Sequence, residues 1–347
     1  MSINETLGMS LTTEIAKALP LREELADKIY QVFHYVIIPC TSFVGIVGNV
    51  TSIVLLTRKG FKKCSSILLL ALAVSDILFL IGINNVPKYL YVLYIPQGFR
   101  FTTAVNYVCY ISHMAFSWAR TIGLHCAMVI PVIITVERIL AIRFPLTFHF
   151  ILTPRRAVII ISCLFLLNGA YCIYSYVVCM KFKQVVVQGI TIGFILRTDA
   201  YFHDLTSGLY ETIDSIVNYT TGIIPISIVT VGSVVIGVQI AILTQRRQKM
   251  TANQVKKSAD KQQPISKTTK TLLNICILYS VCSGFAFAIA YITQDSQLGQ
   301  DIQLNKVLVS FHNLLTCVNC VGDFVIYVGA NSVYKKSWGK CTTRKQT

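Results

Sequence analysis

The hydrophobic positions of this chain gather into seven long apolar runs, most of them separated by short charged or turn-rich segments. A run of about 18 residues or more with few charges can cross a bilayer as a helix. The runs lie near Val32–Thr57, Ser65–Val86, Asn106–Val136, Ala157–Val178, Ser215–Leu243, Thr271–Ile292 and Lys306–Gly329. A single run of this kind reads equally well as a buried core helix. Seven in succession predict an all-α membrane protein, a seven-transmembrane helix bundle over residues 32–329. Residues 1–31 then form an extracellular segment and residues 330–347 a cytoplasmic tail. Between the fourth and fifth runs, Gln184–Ile192 reads as a β-hairpin with its turn at Gln188-Gly189.

Composition supports this reading. Of 347 residues, 54% are hydrophobic and only 13% charged, against about 25% charged in soluble domains. So little polar surface argues against a soluble enzyme, a disordered chain and a secreted disulfide scaffold. The net charge of +16 suggests nucleic acid until it is sorted by loop. Alternate loops, 58–64, 137–156, 244–270 and the tail from 330, hold 21 Lys or Arg against two acids, Glu137 and Asp260. The opposite side holds nine basic residues against eleven acids. Basic residues collect on the cytoplasmic side of membrane proteins, so the tail is inside and the N-terminus outside. The charge excess is thus a matter of topology, with anionic lipid headgroups and not nucleic acid as its partner. No signal-peptide core precedes the first run, which would serve as its own membrane signal. Asn4-Glu5-Thr6 is a glycosylation acceptor on the outer side.

Individual residues narrow the class. The first run holds Gly48-Asn49 and the second Leu72-Ala73-Val74-Ser75-Asp76. The third ends in Glu137-Arg138, then Ala141-Ile142 and Pro145-Leu146; the fifth holds Pro225. The seventh has Asn319 and Asp323-Phe324-Val325-Ile326-Tyr327. Each motif stands in its proper span and in order, over residues about 32–340, and the set resembles the rhodopsin-like (class A) G-protein-coupled receptors. The nearest likeness is to invertebrate, molluscan-type neuropeptide or chemosensory receptors.

The resemblance implies an extracellular ligand, peptide or small molecule, and a heterotrimeric G protein inside. It implies a resting Glu137–Arg138 pair that opens on activation, with Asp323 and Tyr327 taking part. It implies a Cys109–Cys179 disulfide, although Cys109 lies about one helical turn further from Arg138 than is usual. It further implies a short membrane-surface helix around Tyr334–Trp338, with palmitoylation at Cys341. It also implies that Asp76 and Asp323 meet mid-membrane with Asn49 and Asn319 as neighbours. Two carboxylates so close need a sodium ion or a shared proton. A structural polar cluster with water is the other reading, and Ala127 stands where many relatives supply a hydroxyl ligand. No other cofactor is expected.

Several departures bear on the activation switch. Ile139 replaces a tyrosine, Phe324 replaces the seventh-span proline, Ser233 replaces a fifth-span tyrosine, and Pro131 interrupts the third run. The fourth run has no tryptophan, and the sixth lacks the Cys-Trp-x-Pro kink.

Arg120 is the candidate ligand residue. It precedes Arg138 by 18 residues, five helical turns, so both lie on one face about 27 Å apart. Amine receptors of this family hold their ligand with an aspartate at that place. An arginine there favours carboxylate, phosphate or sulfate. The competing reading is an internal acid, Asp214 or Asp301. Opsin chemistry is excluded because Cys317, not lysine, occupies the Schiff-base position. A seven-span transporter or channel is the rival class, but inverted repeats and interrupted helices are not evident. Histidine and cysteine spacing suits no zinc enzyme.

Overall fold

In the computed structural model, seven helices among the described residues are long and apolar enough to cross a membrane. They are Glu24–Arg58, Cys64–Val92, Thr103–Arg143, Pro154–Val178, Leu209–Gln245, Thr269–Thr293 and Ile302–Gly329. The structure describes residues 23–60, 63–92, 97–144, 148–253, 267–295 and 302–330. Every expected span is present, but several helices outrun their apolar cores. The third covers 41 residues and passes through Pro131 without a break. The fifth begins after Gly208, in the left-handed region at φ 75°, well before Ser215. Apolar length predicts what must sit in hydrocarbon, whereas the helix ends in water are set by local packing.

The bundle has an apolar core threaded by buried polar residues, and an exterior that is also apolar, unlike that of a soluble domain. Asn49, Ser75, Asp76, Asn313, Asn319 and Asp323 are buried, while Phe43, Leu166, Leu167, Val231 and Val234 face outward. So apolar an exterior suits lipid and not water, and helices suit lipid because they pair their backbone groups internally. The third span is central, and its buried stripe runs through Gly123, Ala127, Ile130, Ile134 and Arg138. The second and third spans approach through two glycines. A Cβ on Gly82 would stand 2.1 Å from the Arg120 backbone nitrogen, and one on Gly123 would stand 2.3 Å from that of Phe79. Small residues permit such backbone contact between membrane helices.

Gly82→Ala must therefore push the two helices apart beside Arg120. Overpacking of this kind costs about 1–3 kcal/mol, and the purified receptor should melt several degrees lower. Gly237 has open space around it, so Gly237→Ala should melt with the wild type. Equal melting of both variants would contradict the close approach.

The hairpin forms as expected, from β1 (Met180–Val187) and β2 (Ile190–Arg197). Val187 pairs with Ile190 across a two-residue turn, and Gln188 and Gly189 both have positive φ, 49° and 80°. That is the turn whose twist matches paired strands. The hairpin is moored to the outer end of the third span. Asn106 donates to the Thr191 carbonyl at 3.3 Å, Phe182 stacks on Tyr110 at 4.6 Å, and Gly193 bridges to Phe99.

One expectation is corrected here. Cys109 and Cys179 are both free thiols, and no disulfide joins the described residues. The face of the third span turned to the hairpin is taken by Asn106 and Tyr110. Cys179 instead sits between the fourth span and the short helix Asp199–Thr206, beside Tyr174 and Asp204. Burial there pushes its thiol pKa up, which keeps it protonated.

Candidate functional site

A cavity of about 280 Å³ opens at the outer end of the bundle, and Arg120 lines it. Local sequence builds its walls. The helix Cys64–Ile83 stops at Asn84-Asn85, and the helix Val86–Val92 restarts it. Asn85 caps that restart by accepting the Lys88 backbone N–H at 3.1 Å. Its amide also donates to the His113 carbonyl and to Ser117 Oγ, at 3.1 and 3.2 Å. The short helix is thereby pinned to the third span, with Lys88 and Tyr89 at the cavity wall.

Two π-helical turns supply further walls. Phe33–Ile37 in the first span presents His34, and Tyr174–Val178 in the fourth presents Tyr176. Such turns are rare and gather at functional sites. His34 bonds Tyr89 Oη at 3.1 Å through Nδ1 and approaches Ser310 Oγ at 3.4 Å through Nε2. Tyr176 Oη meets Thr121 Oγ1 at 3.0 Å.

The electrostatics are one-sided. Arg120 and Lys88 line the cavity, and no Asp or Glu among the described residues does. Arg120 donates to Asn313 Oδ1 at 3.0 Å, and its Nε finds no partner among the described residues. A guanidinium has five donors, so most of its capacity is left over. The internal-acid reading fails for Asp214, which binds Tyr171 Oη at 3.4 Å and Asn218 Nδ2 at 2.8 Å. Asp301 lies outside the described residues.

At the cytoplasmic end Glu137 and Arg138 are buried and paired. Arg138 Nε donates to Glu137 Oε2, and an Arg138 terminal nitrogen donates to Oε1, a two-bonded clasp. The sixth span is held to the third by Tyr279, fully buried, whose hydroxyl donates to the Met128 carbonyl at 3.0 Å. Thr135 Oγ1 also lies 3.4 Å from Cys276 Sγ.

Between the two ends, Asp76, Asp323, Asn49 and Tyr327 line a small cavity of about 10 Å³. The Asp323 carboxylate oxygens and Asn319 Oδ1 are buried with no hydrogen-bond partner among the described residues, while the Asp76 carboxyl meets the Cys320 thiol. Asn49 does not bind the aspartates; it donates to the Gly45 and Cys320 carbonyls, at 3.1 and 3.0 Å, and so ties the first span to the seventh. Phe324, in the place of the missing proline, lays its ring against Gly48, where a Cβ would fall 2.2 Å from it. Asn4, Cys341 and the Tyr334–Trp338 segment lie outside the described residues.

Sequence reasoning placed Arg120 but missed its surroundings. In the sequence Lys88 is one more loop charge, because its role depends on the Asn84-Asn85 break. His34, Ser112-His113 and His312-Asn313 interrupt otherwise apolar runs, and those interruptions are the signal the sequence carries for the cavity lining.

The family model described as "Serpentine type 7TM GPCR chemoreceptor Srw" matches residues 34–345. The chain belongs to this Srw family. It is also 23% identical, over 306 residues, to a Caenorhabditis elegans protein described as a probable G-protein coupled receptor, covering 87% of this chain and 67% of that one. The Srw chain is thus a multi-pass receptor of the plasma membrane that binds an extracellular ligand and activates a heterotrimeric G protein. A transporter or channel is not favoured. The molluscan placement is corrected: the matches are to a chemoreceptor family and a nematode relative, not to molluscan-type receptors.

Proposed function

We propose that this Srw receptor is chemosensory and detects a small, water-soluble anion in the cavity at Arg120. The observation that carries the reading is a cavity lined, among the described residues, by two cationic side chains and no acid. Arg120 is part-buried and has no counter-charge among the described residues, so an anion entering the cavity offsets part of its desolvation cost. The volume favours a small molecule over a neuropeptide. About 280 Å³ lies just under the roughly 300–1,000 Å³ of drug-sized ligand sites, and a peptide of several residues could insert only its end.

The proposed mechanism uses the bonds described. The anion competes with Asn313 for Arg120, which in the resting state links the third span to the seventh. Its binding energy biases the bundle toward the state that holds it better. At the inner end the sixth span parts from the third, and Arg138 leaves Glu137 to meet the G protein. The test is a G-protein readout in cells expressing the receptor, challenged with small carboxylic acids, phosphates and amines. Acids should activate and amines should not. Activation by amines alone would refute the reading.

The aspartate cluster also fits the sodium ion implied by the resemblance. Both Asp323 carboxylate oxygens are buried without a hydrogen-bond partner among the described residues, and a cavity of about 10 Å³ has room for about one water-sized species. Asp76, Asp323 and Asn319 would hold the ion, and its charge would offset the two carboxylates. Replacing external sodium by a bulky organic cation should then shift agonist potency several-fold, and Asp76→Asn should abolish the shift. A wild-type receptor indifferent to sodium would remove the ion from the account.

A further inference from the structure

We infer that the ligand of this cavity is a small hydrophilic dianion, with one acidic group held by Arg120 and the other by Lys88. The inference rests on the anion reading above and extends it to ligand class. Arg120 faces the cavity from mid-helix, part-buried, while Lys88 is more open to solvent, as a residue at the mouth would be. The two charges act on each other, and both act on His34. A monoanion bound at Arg120 leaves the second cation uncompensated.

The acids at this end of the bundle that the structure describes have other partners. Asp27 pairs with Lys306 at 2.8 Å, Asp204 accepts from Tyr174 at 2.8 Å, and Asp214 accepts from Asn218 at 2.8 Å. No ion pair engages Lys88 among the described residues. Lys88 is held over the cavity by the Asn85 cap and its two bonds to the third span. A flexible loop lysine would have no such fixed placement.

The rest of the lining sets polarity. Ser117, Thr121, His113 and Asn313 offer hydrogen bonds, and only Ile83 and Leu124 are aliphatic. A fatty-acid tail finds no apolar channel there. What remains is a short molecule with an acidic group at each end, or a phosphate monoester that carries two charges on one group.

The test is thermal stabilisation of the purified receptor by three probes. These are short α,ω-dicarboxylic acids, monocarboxylic acids of the same chain length, and a short alkyl phosphate. Dicarboxylates should stabilise the wild type at about tenfold lower concentration than monocarboxylates, the equivalent of about 1.4 kcal/mol. Lys88→Gln should erase that advantage by weakening dicarboxylates about tenfold more than monocarboxylates, whereas Arg120→Gln should remove binding of both. The alkyl phosphate distinguishes the two dianion types, and stabilisation by it at the dicarboxylate level assigns the phosphate form to the same pair of cations. Equal potency of mono- and dicarboxylates in the wild type, or an advantage that survives Lys88→Gln, overturns the dianion inference while the anion reading stands. If no probe stabilises the receptor at millimolar concentration, both fall.

Discussion

Receptors carrying Arg120→Gln are expected to reach the cell surface at wild-type levels and to lose the response to an anionic agonist. Charge-assisted hydrogen bonds contribute about 1.5–3 kcal/mol each. Losing a two-bonded clasp therefore costs at least about 3 kcal/mol, and the EC50 should rise about a hundredfold or more. Folding should survive because glutamine can still donate to Asn313, the partner Arg120 uses now. Removing a cation that has no counter-charge in the cavity should even raise the melting temperature slightly. Arg120→Lys keeps the charge but not the planar fork, and should fall between the two. Asn313→Ala gives an independent check. It frees the guanidinium from its resting partner, so agonist affinity should rise. Dose–response curves that superimpose for wild type and Arg120→Gln would sink the ligand role of this arginine.

The seven spans were legible because the bilayer leaves few alternatives: a long apolar run must be helical to satisfy its backbone. The hairpin was legible for an equally local reason, since Gln188-Gly189 tolerates the two positive φ values that its turn requires. Arg120 could be placed by counting turns back from Arg138, and the buried stripe on the third span runs as that count demands. Lys88 could not be placed this way. Its position depends on where the second helix breaks, and the break is held by Asn85 contacts to a different span. The inferred Cys109–Cys179 bridge failed for a related reason. It was carried over by likeness, while the outer end of the third span is joined to the hairpin through Asn106 and Tyr110. Phe324 against Gly48 illustrates the converse. A departure that looked like a lost motif is a replacement contact, visible only when the first and seventh spans are seen side by side.

Glu137→Gln should raise signalling in the absence of ligand, and Arg138→Ala should abolish signalling while ligand binding persists. Both residues are buried, and their clasp is the ion pair that Arg138 makes among the described residues. The sequence offers no second acid at the base of the sixth span, where Ile265–Lys270 is basic and polar. Neutralising Glu137 therefore removes the acid restraint as a whole. Breaking a buried pair costs about 3–5 kcal/mol when the remaining charge stays buried. An active state that carries Arg138 into contact with a G protein escapes that cost, so the equilibrium moves toward it. Even about 1.4 kcal/mol of that difference multiplies the active population tenfold. Basal G-protein activation should thus rise several-fold in Glu137→Gln and stay near wild type in Glu137→Asp, which keeps the charge. The double variant Glu137→Gln/Arg138→Ala should be silent, because the gain from the first change acts only through the arginine. If the double variant kept a raised basal signal, Glu137 would restrain some element other than Arg138, and the sixth-span contacts of Tyr279 and Thr135 would be the place to look for it.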